Sequence, residues 1–261
     1  MKHLITKNKY GSVKEITEYF CGLEYSKVND LSSINNYESG LIAITQFSKD
    51  GKELEVEYFS EGKPDYKTIY KYDEHNQIIE TLNINQSKKP IGKVIFKYDE
   101  NGLKTLSLSY SDMNNIDLKV IRLYNNELKK TSESLIHYNG GKNISFYYEY
   151  GNNVRERTCV IKDDQVSILG KDFSVFDHEG YIILSREFDS YNNLVSETEY
   201  SYNQHKNLLK TDIKSYTGSG IEKIQNWYEY VYDNMNNWIK CVHYAAHEEL
   251  SSVVFRKIVY F

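Results

Sequence analysis

The sequence predicts an all-β chain, a meander of antiparallel hairpins. Two compositional facts and one periodicity carry this expectation. Among 261 residues there are 25 Tyr and 24 Asn. Tyr favours strands and Asn favours turns. The third observation is a repeat. An aromatic residue followed by Asp, Asn or Gly recurs at Tyr72, Tyr98, Tyr124, Tyr150, Phe176 and Tyr202, each 26 residues after the last. The series continues with looser spacing at Phe47 and Tyr232.

A weaker series of turn signals falls near the midpoints, at Phe59, Tyr110, Tyr138, Phe188 and Tyr216. One 26-residue unit therefore holds two turns and two strands of roughly nine residues, about 30 Å long. Each unit reads as a β-hairpin. Within strands the period is two. In 142–150, Ile144, Phe146, Tyr148 and Tyr150 share one face, and Ser145, Tyr147 and Glu149 the other. In 194–202, Tyr200 and Tyr202 lie opposite Glu197 and Glu199; in 226–232, Tyr228, Tyr230 and Tyr232 lie opposite Trp227 and Glu229. Such alternation marks a sheet with one apolar-aromatic face and one wetter face.

No linker rich in Pro, Gly or Ser divides the chain, so 1–261 reads as one domain. Residues 1–46 form an irregular first repeat or cap, in which 11–20 reads as either helix or strand. Residues 47–244 hold the regular repeats. Residues 245–261 hold a short helix or loop (AAHEEL, 245–250) and a final strand. About sixteen strands would make a flat sheet about 75 Å wide, and sheets that large twist, curl or close. The expectation is one large twisted sheet bent over its aromatic face, as an open spiral, a half-pipe or a wide barrel. The irregular N-terminal segment and the charged last strand, with Arg256 and Lys257, would shield its edges.

The net charge is −5 and the pI about 5.9, so no broad basic field points to nucleic acid. No export signal reads from the N-terminus and no stretch approaches the roughly 18 apolar residues of a membrane helix. Cys21, Cys159 and Cys241 are odd in number and widely spaced, as expected of reduced thiols. These features together predict a cytoplasmic protein without membrane contact.

The turns at Tyr72-Asp73, Tyr98-Asp99 and Tyr232-Asp233, with Phe176-Asp177 and Phe188-Asp189, resemble the tyrosine-aspartate (YD) repeats of bacterial rearrangement-hotspot proteins. The resemblance runs from about residue 47 to 244. It implies a curling β-sheet of the kind that family uses to enclose toxic polypeptides. For a short cytosolic relative it implies an immunity protein.

Candidate chemistry is sparse. Cys241, His243, His247 and Glu248 cluster in sequence, but Tyr244 stands where a zinc-protease motif needs Glu. His75, His178 and His205 fall at turns, where solvation explains them. No nucleophile elbow or phosphate loop occurs. The pairs Glu197/Glu199, Asp163/Asp164 and Glu248/Glu249 read as a solvated strand face. The predicted catalytic set, metal set and cofactor are accordingly none. The aromatic ladder reads as the packing face of a curled sheet, as a protein-contact surface or as a glycan platform. Candidate contact residues are Trp227, Tyr228, Tyr230, Trp238, Tyr200, Tyr202, Tyr148 and Tyr150. The functional expectation is a non-enzymatic protein-binding module, most concretely a cytoplasmic immunity protein that neutralises a toxin. A basic toxin domain suits the mild acidity, and the oligomeric state stays open. A carbohydrate-binding or surface-structural repeat protein is the alternative.

Overall fold

The computed structural model describes residues 12–21, 40–111, 113–151, 156–245 and 249–261. They form eighteen strands and no α-helix. The first half comprises β1 (Val13–Cys21), β2 (Leu41–Phe47), β3 (Glu53–Ser60), β4 (Lys63–Tyr72), β5 (Ile78–Asn85), β6 (Pro90–Tyr98), β7 (Lys104–Tyr110), β8 (Ile116–Tyr124) and β9 (Lys130–His137). The second comprises β10 (Ile144–Tyr150), β11 (Glu156–Asp163), β12 (Ile168–Phe176), β13 (Ile182–Phe188), β14 (Leu194–Tyr202), β15 (Leu208–Thr217), β16 (Gly220–Tyr232), β17 (Trp238–Ala245) and β18 (Glu249–Tyr260).

Every strand pairs antiparallel with its neighbours in the chain, and β1 also pairs with β18. The meander is thus a closed barrel. Closure removes the open edges that the sequence reading expected to be shielded. A ring of this size is too wide for wall side chains alone to fill.

The repeat has a direct structural basis. Except after Tyr150, where Gly151 follows, the side chain of the residue after the aromatic caps its own turn. The Asp73 carboxylate accepts from the backbone N–H groups of His75 and Gln77, at 2.9 and 2.8 Å. Asp99, Asn125, Asp177, Asn203 and Asp233 do the same in later repeats. Asp and Asn supply that acceptor, which is why one or the other follows the aromatic. Each turn then needs one left-handed residue, and Asn76, Gly102, Leu128, Gly180 and Lys206 fill that place with φ between 60° and 90°.

The aromatic itself ties the rim. The hydroxyls of Tyr72, Tyr98, Tyr124, Tyr150 and Tyr202 donate to the backbone carbonyls of Glu53, Ile78, Lys104, Lys130 and Ile182, at 2.8–3.0 Å. Opposite each of these tyrosines except Tyr150 the register slips by one residue, as between Tyr98 and Lys104. Such bulges add local twist, and repeated around the ring they bend the sheet.

The two wall faces differ. Following the register, Thr68, Ser107, Val120, Cys159, Ser174 and Thr211 share one face and are buried. Lys71, Lys97, Glu149, Glu199 and Glu229 lie on the other and are exposed. The apolar core concentrates at the seam: Tyr19, Cys21, Val242, Val253 and Phe255 form one cluster, and Val13, Ile16 and Phe47 another.

Two local alternatives resolve. Of the helix and strand readings of 11–20, the strand is the one formed, as β1 from Val13. A helix over 245–250 is not formed: β17 ends at Ala245 and β18 begins at Glu249, with 246–248 outside the described residues. Cross-strand pairing at the seam outcompetes the weak local helical preference of AAHEEL. Of the irregular stretch 1–46, residues 1–11 and 22–39 also lie outside the description.

Candidate functional site

The eight expected contact residues separate onto two faces. Seven of them belong to the crowded face or pack with it. Tyr150 and Tyr202 hold rim carbonyls as described, and Tyr230 donates to the Leu208 carbonyl at 3.0 Å. The Tyr200 hydroxyl shares a 3.2 Å hydrogen bond with Ser185. Tyr148 lies beneath the Lys130 ammonium and the Arg157 guanidinium, at 4.4 and 5.5 Å from its ring centre. Tyr228 stacks on His243 at 4.7 Å, and Trp238 carries the Arg256 guanidinium 3.4 Å above its ring. Burial pushes the hydroxyls of Tyr148, Tyr228 and Tyr230 above the ordinary tyrosine range. These rings are committed to the wall.

Trp227 is different. Its strand parity places it on the open face, in a cross-strand row with Lys210 of β15 and Tyr244 of β17. Its indole stacks on the Tyr244 ring, with centroids 5.5 Å apart and planes 16° apart. Tyr244 in turn packs against the seam cluster of Tyr19, Val242, Val253 and Phe255, which gives the pair a rigid base.

Polar groups surround this stack. Lys210, Gln225, Trp227, Glu229 and Tyr244 line an open groove of about 460 Å3. The Tyr244 hydroxyl donates to Glu229 Oε2 at 3.0 Å. Beside the groove, Asp212 holds the Lys210 ammonium at 2.9 Å and accepts from the Gln225 amide. Burial would raise the Asp212 carboxyl, but the bonds from Lys210 and Gln225 outweigh it and hold the group below its ordinary value. Burial, with the bond to Glu229, raises the Tyr244 hydroxyl.

Sequence reasoning found Trp227 and missed Lys210, Gln225, Glu229 and Tyr244. Part of the signal was local: Gln225, Trp227 and Glu229 alternate on one strand face. Tyr244 and Lys210 come from adjacent strands, and their row depends on the register.

The Cys241 and His243 side chains belong to the crowded face. Burial pushes the Cys241 thiol up to about 11 and lowers the His243 imidazole. Both are therefore uncharged at neutral pH, and His243 Nε2 is buried without a hydrogen-bond partner. His247 and Glu248 lie outside the described residues. Among the described residues no group of three or more His, Cys, Asp or Glu could hold a metal ion. Cys159 and Cys241 are free thiols.

A scan of protein families and a search of curated proteins found no match. A search of solved structures returned matches of low identity. A porin-like protein from Bacteroides uniformis is 10% identical, with 96% of this chain and 99% of that chain covered and a TM-score of 0.45. A porin-like protein from Bacteroides vulgatus is 12% identical, with 95% and 98% covered and a TM-score of 0.42. The N-terminal domain of the effector protein SpvB from Salmonella typhimurium is 12% identical, with 99% and 92% covered and a TM-score of 0.21.

The expectation of a cytoplasmic protein without membrane contact is corrected by the closure of the sheet. Among the described residues no helix is long and apolar enough to cross a membrane. That test has no bearing on a closed barrel, the other architecture able to satisfy every backbone polar group in lipid. The chain closes into such a barrel, β1 pairing with β18.

Proposed function

We propose that this protein is a non-catalytic binding barrel that engages its ligand at the groove on β15–β17. One observation carries the reading. Trp227 and Tyr244 form a half-buried aromatic platform on the open face, while the other expected aromatics are committed to the wall. Binding hot spots favour such rings, large in contact area and set on a rigid base. The Cys241 thiol, pushed up by burial, supports a role without chemistry, since a cysteine nucleophile needs a lowered pKa.

Two narrower forms rest on the sequence. Kinship with YD-repeat proteins is supported by the aromatic–Asp turn that closes successive units. Toxin neutralisation, implied by that kinship, would make the ligand a protein. It is tested by co-expression with a toxin encoded beside this chain, where rescue of growth is the expected result.

The general test is substitution. Any ligand that binds the intact protein should lose about thirtyfold or more in affinity with Trp227→Ala. Tyr202→Phe, on the opposite face, should leave affinity unchanged. A ligand indifferent to Trp227 would place binding elsewhere, and turnover of any substrate by the purified protein would refute the non-catalytic role.

A further inference from the structure

We infer that the β15–β17 groove is a saccharide subsite that takes a neutral pyranose. This rests on the binding role proposed above and names its ligand class. A pyranose has an apolar C–H face and a rim of hydroxyls that both donate and accept. The groove has matching elements, the stacked rings of Trp227 and Tyr244 as an apolar wall and a rim of Lys210, Gln225 and Glu229. Its volume of about 460 Å3 falls within the range of roughly 300–1,000 Å3 usual for small-ligand sites.

The rim groups are positioned before any ligand arrives. Tyr244 donates to one oxygen of Glu229, which leaves Oε1 to accept from a hydroxyl. Asp212 orients both Lys210 and Gln225 from the side. Lys210 has further N–H donors, and the Gln225 amide supplies both a donor and an acceptor. Groups already held lose little freedom when a ligand docks.

Charge narrows the class. Asp212 neutralises Lys210, so Glu229 leaves the rim with a net negative charge. Sulfated and uronic sugars are disfavoured by that charge, and so are nucleotides. A quaternary ammonium would need rings arranged as a cage, but Trp227 and Tyr244 are nearly parallel.

The test applies the intact chain to a printed array of neutral, sulfated and uronic oligosaccharides. Binders are then titrated by calorimetry and by indole fluorescence. Binding to a neutral glycan is expected, with about a thirtyfold or greater loss for Trp227→Ala and a several-fold loss for Glu229→Gln. Tyr202→Phe should bind as the parent does. Near-ultraviolet circular dichroism and unchanged melting establish that each variant is folded, and Glu229→Gln keeps the shape should Trp227→Ala perturb the wall. Binding only to sulfated or uronic glycans overturns the inference. So does an array without binders beside a protein partner whose affinity depends on Trp227, an outcome that leaves the binding role standing. A glycan bound equally well without the Trp227 indole defeats the inference and the proposed site together.

Discussion

Arg256 on the last strand donates from Nε to Glu18 Oε1 on the first strand, at 2.8 Å. The two residues are 238 positions apart, and both side chains are nearly inaccessible. Their strands pair directly from Glu15↔Val259 to Cys21↔Val253. The ion pair therefore crosses the seam where the barrel closes. Burial lowers the Arg256 pKa, and Glu18 works against that shift. The Trp238 ring, 3.4 Å away, adds a cation–π contact.

Removing one partner would leave a buried charge uncompensated. Arg256→Ala should cost about 3–5 kcal/mol in urea unfolding. The double variant Glu18→Gln/Arg256→Met should be less damaging than the sum of its single changes. Additive costs would show that the pair is not coupled across the seam.

The rim tyrosines should act separately. Tyr98→Phe removes one hydroxyl bond to the Ile78 carbonyl and should cost about 1 kcal/mol. Equivalent tyrosines are two strands apart, roughly 10 Å. The costs of Tyr72→Phe, Tyr98→Phe and Tyr124→Phe should therefore add within about 0.5 kcal/mol. Unfolding midpoints of the single and triple variants measure this, and a triple variant as stable as the parent would contradict it.

Val166 sits at φ 65°, a left-handed conformation that a β-branched residue tolerates poorly. The residue 26 positions earlier is Gly140, at φ 85°, and the one 26 later is Asn192, at φ 64°. Val166→Gly should raise stability by about 1 kcal/mol, because relief of strain exceeds the entropy gained by the unfolded chain. The Asp163 cap on this turn stays in place. A lower melting temperature for the glycine variant would show that Val166 makes a compensating contact.

Glu197 should make stability depend on acid pH. Its carboxylate accepts from Lys214 at 2.8 Å and Arg186 at 2.7 Å, and these bonds, Lys214 first, hold its pKa below the ordinary 4.5. The unfolded chain then binds the proton more readily than the folded one. The stabilisation is complete above about pH 4.5 and is lost as pH falls through the folded value. Glu197→Gln should lower stability at pH 7, and the gap to the parent should close on acidification. A gap that stays constant from pH 7 to pH 3 would count against this linkage.

Much of the wall was legible because its causes are local. The Asp73 cap spans four residues, and the Tyr98 bond reaches 20 positions within one hairpin. Both repeat, so they print a period on the sequence. Trp227 and Trp238 show the limit. Each is a tryptophan in the same less regular repeat, and both read as contact residues. Trp238 lies beneath Arg256 of the neighbouring strand, while Trp227 stands on the open face beside Tyr244.

By itself, then, the sequence determined the hairpin, its 26-residue step and the capped aromatic turns, since each arises from backbone conformation and hydrogen bonds inside a short segment. Closure of the meander, the Glu18–Arg256 seam and the assembly of Lys210, Gln225, Trp227, Glu229 and Tyr244 were decided only in the tertiary structure. Closure depends on twist and bulges accumulated over eighteen strands until the two end strands meet. The groove depends on cross-strand register, and a slip of one residue would carry Trp227 to the opposite face.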